Sequence, residues 1–137
     1  MKTGKLTSKT FVFLETHEAQ TINFLLDLGK DIEILAPVRS KGLRTPDIAM
    51  DGLSWEIKCP TGHGKRTLDR LLKNAMRQSK NIIFDLRKTS IPDIQCLSKL
   101  QKEFTRRTDI KRFLIITKQQ TMLDLSKTEK NTLDIKK

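Results

Sequence analysis

A chain of 137 residues has room for one hydrophobic core but not for two comfortable domains. Its 27 lysines and arginines against 16 acids give a formal net charge of +11, a balance that attracts anionic partners: nucleic acid first, then acidic proteins and anionic lipid. No apolar run nears the roughly 20 residues that span a bilayer, and the N-terminus has no signal-peptide core; Cys59 and Cys96 lack zinc spacing, are too few for a disulfide framework and read as reduced, incidental thiols.

The predicted elements begin with a helix over "THEAQTINFLLDLGK". Thr16 reads as its N-cap, Glu18 suits its first turn, Ile22, Leu25 and Leu26 recur at helical spacing, and Gly29 ends it. "DIEIL" follows as a short strand with Ile32 and Ile34 on one face, then a loop, "APVRSKGLRT", carrying Arg39, Lys41 and Arg44. A hairpin occupies "TPDIAMDGLSWEIKCP" and a turn-rich link "TGHGK". The second helix, "RTLDRLLKNAMRQSK", has an apolar stripe of Leu68, Leu71, Leu72, Ala75 and Met76, with Arg66, Arg70, Lys73, Arg77 and Lys80 on its other faces. "NIIFDL" reads as a buried strand, "IPDIQCLSKLQKEF" as a third helix, and "RFLIIT" and "TMLDL" as two more strands. The order predicts a single α/β (α+β) domain over 1–137, with one mixed central sheet flanked by helices. Residues 1–10 and 126–137 are expected as loose ends, although Leu133 and Ile135 alternate as a short terminal strand would.

The hairpin carries the chemistry. Asp51-Gly52 is a strong signal for a two-residue type I′ turn. Counting outward pairs Met50 with Leu53, Ala49 with Ser54, Ile48 with Trp55, and Asp47 with Glu56. Ile48, Met50, Leu53, Trp55 and Ile57 then share one apolar face; Asp47, Ala49, Ser54, Glu56 and Lys58 share the other. Two acids placed directly opposite repel. One reading is a solvated strand face with Lys58 bridging the acids. The other is a site for a hard divalent cation such as Mg²⁺, with Mn²⁺ as a substitute, held by Asp47, Glu56 and the Ile57 carbonyl. Apolar strands on both sides and the cations just before Asp47 favour the second.

"PD" at Pro46-Asp47, eight intervening residues, and "EIK" at Glu56-Ile57-Lys58 resemble the PD-(D/E)xK nuclease motif. A wider stretch, "HEAQTINFLLDLGKDIEIL", "TPDIAMDGLSWEIKCP" and "NAMRQSKNIIFDL", is similar to the C-terminal tRNA nuclease domain of CdiA-type contact-dependent growth-inhibition toxins, over roughly residues 17 to 118. The resemblance implies a restriction-endonuclease-like core and metal-dependent cleavage of nucleic acid, often of tRNA. For a toxin it also implies delivery into a target bacterium's cytoplasm and a cognate immunity protein. Carried over, Asp47 and Glu56 are metal ligands and Lys58 activates the attacking water. Glu18 is the helix-borne acid of the metal shell, with Glu15 a weaker candidate. Gln78 matches a polar position directed at the site, although an exposed helix glutamine reads equally well. Cys59 stands where the family has a small residue.

On this reading Arg39, Lys41, Arg44, Lys65, Arg66, Arg70, Lys73 and Arg77 hold flanking phosphates. His63, in a glycine-flanked loop after Lys58, is a support residue or a plain loop residue. His17 and His63, the two histidines, leave open a metal-free RNase. The alternatives are a DNA endonuclease of the same fold and a nucleic-acid-binding module without catalysis. A pure binder gains nothing from acids in a cationic groove, and an aromatic content of 5% with no Tyr argues against base stacking.

Overall fold

In the computed structural model, which describes residues 3–8, 16–35, 45–127 and 133–136, Asp51 and Gly52 have φ of 54° and 76°, the positive values a type I′ turn requires. This turn fixes the hairpin register at Met50↔Leu53, Ala49↔Ser54 and Ile48↔Trp55, as the sequence predicts. In chain order the elements are β1 (Leu6–Ser8), α1 (Thr16–Asp27), β2 (Ile32–Ile34), β3 (Ile48–Met50), β4 (Leu53–Lys58), α2 (Lys65–Met76), β5 (Asn81–Asp85), α3 (Asp93–Arg106), β6 (Arg112–Ile116), β7 (Met122–Lys127) and β8 (Leu133–Lys136).

These described strands form one eight-stranded mixed sheet whose spatial order is the chain order. β1 and β2, β4 and β5, and β5 and β6 run parallel, and the remaining neighbours are antiparallel. Parallel neighbours need a crossover, and α2 and α3 supply it on either side of β5.

Side-chain alternation on the strands sorts the core into two layers. On one face Ile48, Met50, Trp55, Ile57 and Ile83 pack with Ile22, Phe24 and Leu25 of α1. On the other, Ile82, Phe84, Phe113 and Ile115 pack with Leu68, Leu72 and Ala75 of α2 and Leu100 and Phe104 of α3. β5 is buried between the layers, which explains its unbroken apolar run. Trp55 is wholly buried, and its indole N–H donates to the Met50 carbonyl at 3.0 Å, so no polar cost is left.

The end of α1 follows the sequence reading. The Gly29 and Lys30 amides donate to the Leu26 and Leu25 carbonyls at 2.9 and 3.1 Å, a Schellman closure. Its start differs, because Thr16 is already helical and so is not the cap that precedes the helix. The ends differ too. β1 pairs with β2 and β7 runs to Lys127 in segments read as loose, while β8 beside β7 is the short terminal strand that the alternation of Leu133 and Ile135 allows. α3 starts after Pro92, whose extended backbone (ψ 145°) keeps Ile91 and Pro92 out of the helix.

A candidate active site on β4

Asp47 closes β3 in a way the pairing pattern alone does not give. Its amide donates to the Trp55 carbonyl at 2.9 Å, so both Asp47 and Ile48 face Trp55 across the hairpin. Pro46 has no N–H with which to continue the ladder. The Asp47 carbonyl accepts from Leu35 at 3.0 Å, and its carboxylate Oδ2 accepts the Ile57 amide at 2.8 Å. The expected cross-strand pair of Asp47 with Glu56 is therefore replaced. Asp47 reaches β4 with its side chain, filling the hydrogen-bond position that the departing strand leaves. Backbone groups alternate along a strand, so the Ile57 carbonyl points to this same edge.

The two carboxyl groups still meet. Glu56 is 3% exposed, faces the α2 layer beside Ile82, and has its Oε2 3.2 Å from Lys58 Nζ. Its other oxygen, Oε1, is buried with no hydrogen-bond donor among the described residues. Burial first, then the negative charge of Asp47, pushes the Glu56 carboxyl up to about 8, against the opposing pull of Lys58. A hydrogen bond to Asp47 adds to the rise, and it exists only while one of the two acids holds a proton. Without further positive charge, then, the pair shares a proton at neutral pH. A buried orphan oxygen, two repelling acids and a carbonyl on one strand edge fit a hard cation that also takes oxygens from water or phosphate.

The other expected members are more dispersed. Glu18 lies on α1, across the sheet from Glu56, and its charge is felt at Cys59. Among the described residues no group of three or more His, Cys, Asp or Glu is gathered as a metal cage. Gln78 sits half-buried in the turn after α2, next to Ser79, whose hydroxyl donates to the Ser54 carbonyl at the start of β4. His63 is exposed; the preceding Gly62 carbonyl accepts from Thr89 and Ser90, tying the loop after β4 to the turn after β5. His17 is exposed as well. Arg66, Arg70, Lys73 and Arg77 are all exposed and follow at intervals of four, three and four, one face of the helix. The helix's single acid, Asp69, pairs with Lys99 of α3 at 3.0 Å, and the stripe has no ion-pair partner among the described residues. Arg39, Lys41, Arg44 and Glu15, and the side chain of Lys65, lie outside the described residues.

The sequence reading missed a polar cluster on the α1 side. Asp85, 3% exposed at the end of β5, accepts from Thr21 Oγ1 at 2.6 Å and is clasped by Arg87. Burial alone would raise this carboxyl; the hydrogen bonds from Arg87 and Thr21 hold it below its ordinary value. Burial pushes the neighbouring Cys59 thiol up to about 11, with Asp85 and Glu18 adding to it and a Thr21 hydrogen bond opposing, so it stays protonated and is no nucleophile. The available signal was "FDLR", an acid ending a buried apolar strand with an arginine two residues on.

Among the described residues no helix is long and apolar enough to cross a membrane. No curated protein matches the sequence. The structure is similar to a chain of the CdiA-CT/CdiI toxin and immunity complex from Burkholderia pseudomallei, with a TM-score of 0.65 and 14% identity over 90% of this chain and 99% of that one. At that identity the likeness is one of fold. Residues 44–122, which include Asp47, Glu56 and Lys58, match the profile of the contact-dependent growth inhibition CdiA C-terminal domain. That match covers more than half of the chain, which therefore belongs to the CdiA C-terminal domain family of contact-dependent growth inhibition.

Proposed function

We propose that the chain is a toxin domain that cleaves RNA phosphodiester bonds with a divalent cation, Mg²⁺ or Mn²⁺, and that its substrate is tRNA. The observation that carries this reading is the buried Glu56 carboxyl beside Asp47 and 3.2 Å from Lys58, its Oε1 without a donor among the described residues. The spacing of these residues resembles the PD-(D/E)xK motif, and the family match supports a toxin role. Asp47, Glu56 and the Ile57 carbonyl would hold the cation, and Glu18, across the sheet on α1, would act on it through its charge alone. When bound, such an ion supplies positive charge against the phosphate and lowers the pKa of water.

The chain's own groups do the rest. Asp47 is fixed by three backbone contacts, so its carboxylate meets substrate already oriented. The Lys58 ammonium, held on Glu56, places a positive charge where negative charge develops on the phosphate. The α2 stripe, with Lys65 and the Arg39, Lys41 and Arg44 loop, would grip flanking phosphates, and His63 and Gln78 would line the approach. The structural neighbour is named as a toxin and immunity complex. On that basis we also propose a cognate immunity protein for this chain and delivery into a target cell's cytoplasm. A non-catalytic binder has no use for the acid pair, since two carboxyls in a cationic groove weaken phosphate binding.

The test incubates the purified chain with tRNA and with plasmid DNA, in Mg²⁺, Mn²⁺ or EDTA, beside Glu56→Gln and Lys58→Ala. Cleavage of tRNA that needs the metal and both residues is expected. Cleavage of DNA alone would replace the substrate. Both nucleic acids staying intact in every metal would remove the nuclease reading. Cleavage indifferent to EDTA and to both substitutions would remove the metal site.

A further inference from the structure

On the α1 side of the sheet, past the carboxyl end of β5, lies a cleft of about 390 Å³. Its lining includes Asn23, Phe24 and Asp27 of α1, Arg87 and Lys88 after β5, and Gln120 between β6 and β7. Arg87 is fixed in it. Its Nε and one Nη donate to the two Asp85 oxygens at 2.9 and 2.8 Å, and that Nη also reaches the Gln20 carbonyl at 3.1 Å. The guanidinium stands 5.0 Å over the Phe24 ring. Its other Nη has no hydrogen-bond partner among the described residues, and the side chain is 24% exposed. A rigid guanidinium with an open donor edge suits a phosphate or a carbonyl oxygen.

The remaining lining narrows the ligand. Lys88 adds a second cation, whereas Asp27 would repel a bare anion. Asn23 and Gln120 each carry a donor and an acceptor. This mixture fits a nucleotide, with its phosphate on Arg87 and Lys88 and its base edge on Asn23, Gln120 and the acceptor Asp27. The cleft also adjoins the acid pair through the sheet. Thr21 Oγ1, which donates to Asp85 at 2.6 Å, lies 3.3 Å from the sulfur of Cys59, the residue after Lys58. β4 and β5 are neighbouring parallel strands, so both features lie toward the carboxyl ends of these strands, on opposite faces of the sheet, and an RNA strand that joins them passes around that end.

We propose that this cleft is a subsite for a nucleotide flanking the scissile phosphate of a single-stranded RNA segment; it rests on the nuclease reading of Asp47, Glu56 and Lys58. Arg87 is a poor test residue, because its loss strands the buried Asp85 carboxylate and can unfold the chain. Asn23 and Lys88 are exposed and serve better.

Asn23→Ala, Lys88→Ala and, as a charge control on the other face, Lys102→Ala are each placed on a Glu56→Gln background. Binding of a fluorescein-labelled RNA heptamer is then read by anisotropy, with thermal melting as the check on folding. Asn23→Ala and Lys88→Ala are expected to weaken binding about 5–10-fold, as loss of one hydrogen bond to a charged or base group does. Lys102→Ala is expected to stay within about twofold of the parent. Asn23→Ala binding like the parent, together with Lys88→Ala binding like Lys102→Ala, would overturn the subsite. Cleavage by the unsubstituted chain is read separately. If tRNA stays intact while the Asn23 and Lys88 losses persist, the nuclease reading fails, and with it the place beside a scissile phosphate, while RNA binding by the cleft stands.

Discussion

Although Glu56 stands 3.2 Å from an ammonium group, burial and the Asp47 charge push its carboxyl up to about 8. Its carboxyl holds a proton more tightly in the folded chain (about 8) than at the ordinary value of 4.5, so the native state binds more protons between these limits. The stability that this group contributes is therefore full below about pH 4.5 and is lost as pH rises through about 8. Urea unfolding in EDTA is expected to show this fall between about pH 5 and pH 8, and Glu56→Gln is expected to flatten it. A wild-type slope unchanged by that substitution would place the titration elsewhere. For Lys58→Ala, removing one preorganised charge is expected to lower kcat for tRNA by about 10²–10³ with a folded chain, as checked by single-turnover cleavage. The Glu56 and Lys58 positions were legible in the sequence because Asp51-Gly52 fixes the turn and alternation fixes the face. The detour at Asp47 was not, since it depends on the Leu35 amide, from a strand whose neighbour the sequence does not specify.

At the scale of elements, β1 shows what a sequence pattern cannot reveal. "LTS" has no buried side chain, and its place is set by backbone pairing to β2 and by Gly4, whose amide donates to the Leu26 carbonyl at 2.8 Å. A β-carbon on Gly4 would fall 1.6 Å from the Lys30 carbonyl oxygen, a contact the backbone has to relieve. Gly4→Ala is expected to cost about 1–3 kcal/mol and to release β1 for hydrogen exchange, while the β4–β6 amides stay protected. The cluster of Asp85 with Thr21 was equally hidden, because its members are 64 residues apart in the chain. α2 was the opposite case, since its apolar and basic residues separate cleanly at helical spacing. Replacing Arg66, Arg70, Lys73 and Arg77 by alanine is expected to weaken tRNA binding and reduce its salt dependence by roughly 0.7–0.9 per lost phosphate contact. A salt dependence that does not change would show that α2 faces away from the nucleic acid.

For the whole molecule, a net charge of +11 and two buried acidic sites pull in opposite directions. Asp85 is offset by Arg87, so its carboxylate is structural and stays ionised. In the Asp47 and Glu56 pair, Glu56 Oε2 is held by Lys58 while Oε1 has no donor among the described residues, an imbalance that a divalent cation would correct. The mixed sheet and its two helix layers follow from the apolar periods in the sequence. Which layer each acid faces emerges only when strand register and crossovers are combined.

That the acid pair is a cation site is the central claim. It is tested most directly by titrating Mn²⁺ into the chain at pH 7, by calorimetry in two buffers of different ionisation enthalpy. Binding that releases a proton, and that disappears in Glu56→Gln, is the predicted result. No binding heat, or binding with no proton released and unaffected by Glu56→Gln, would contradict it.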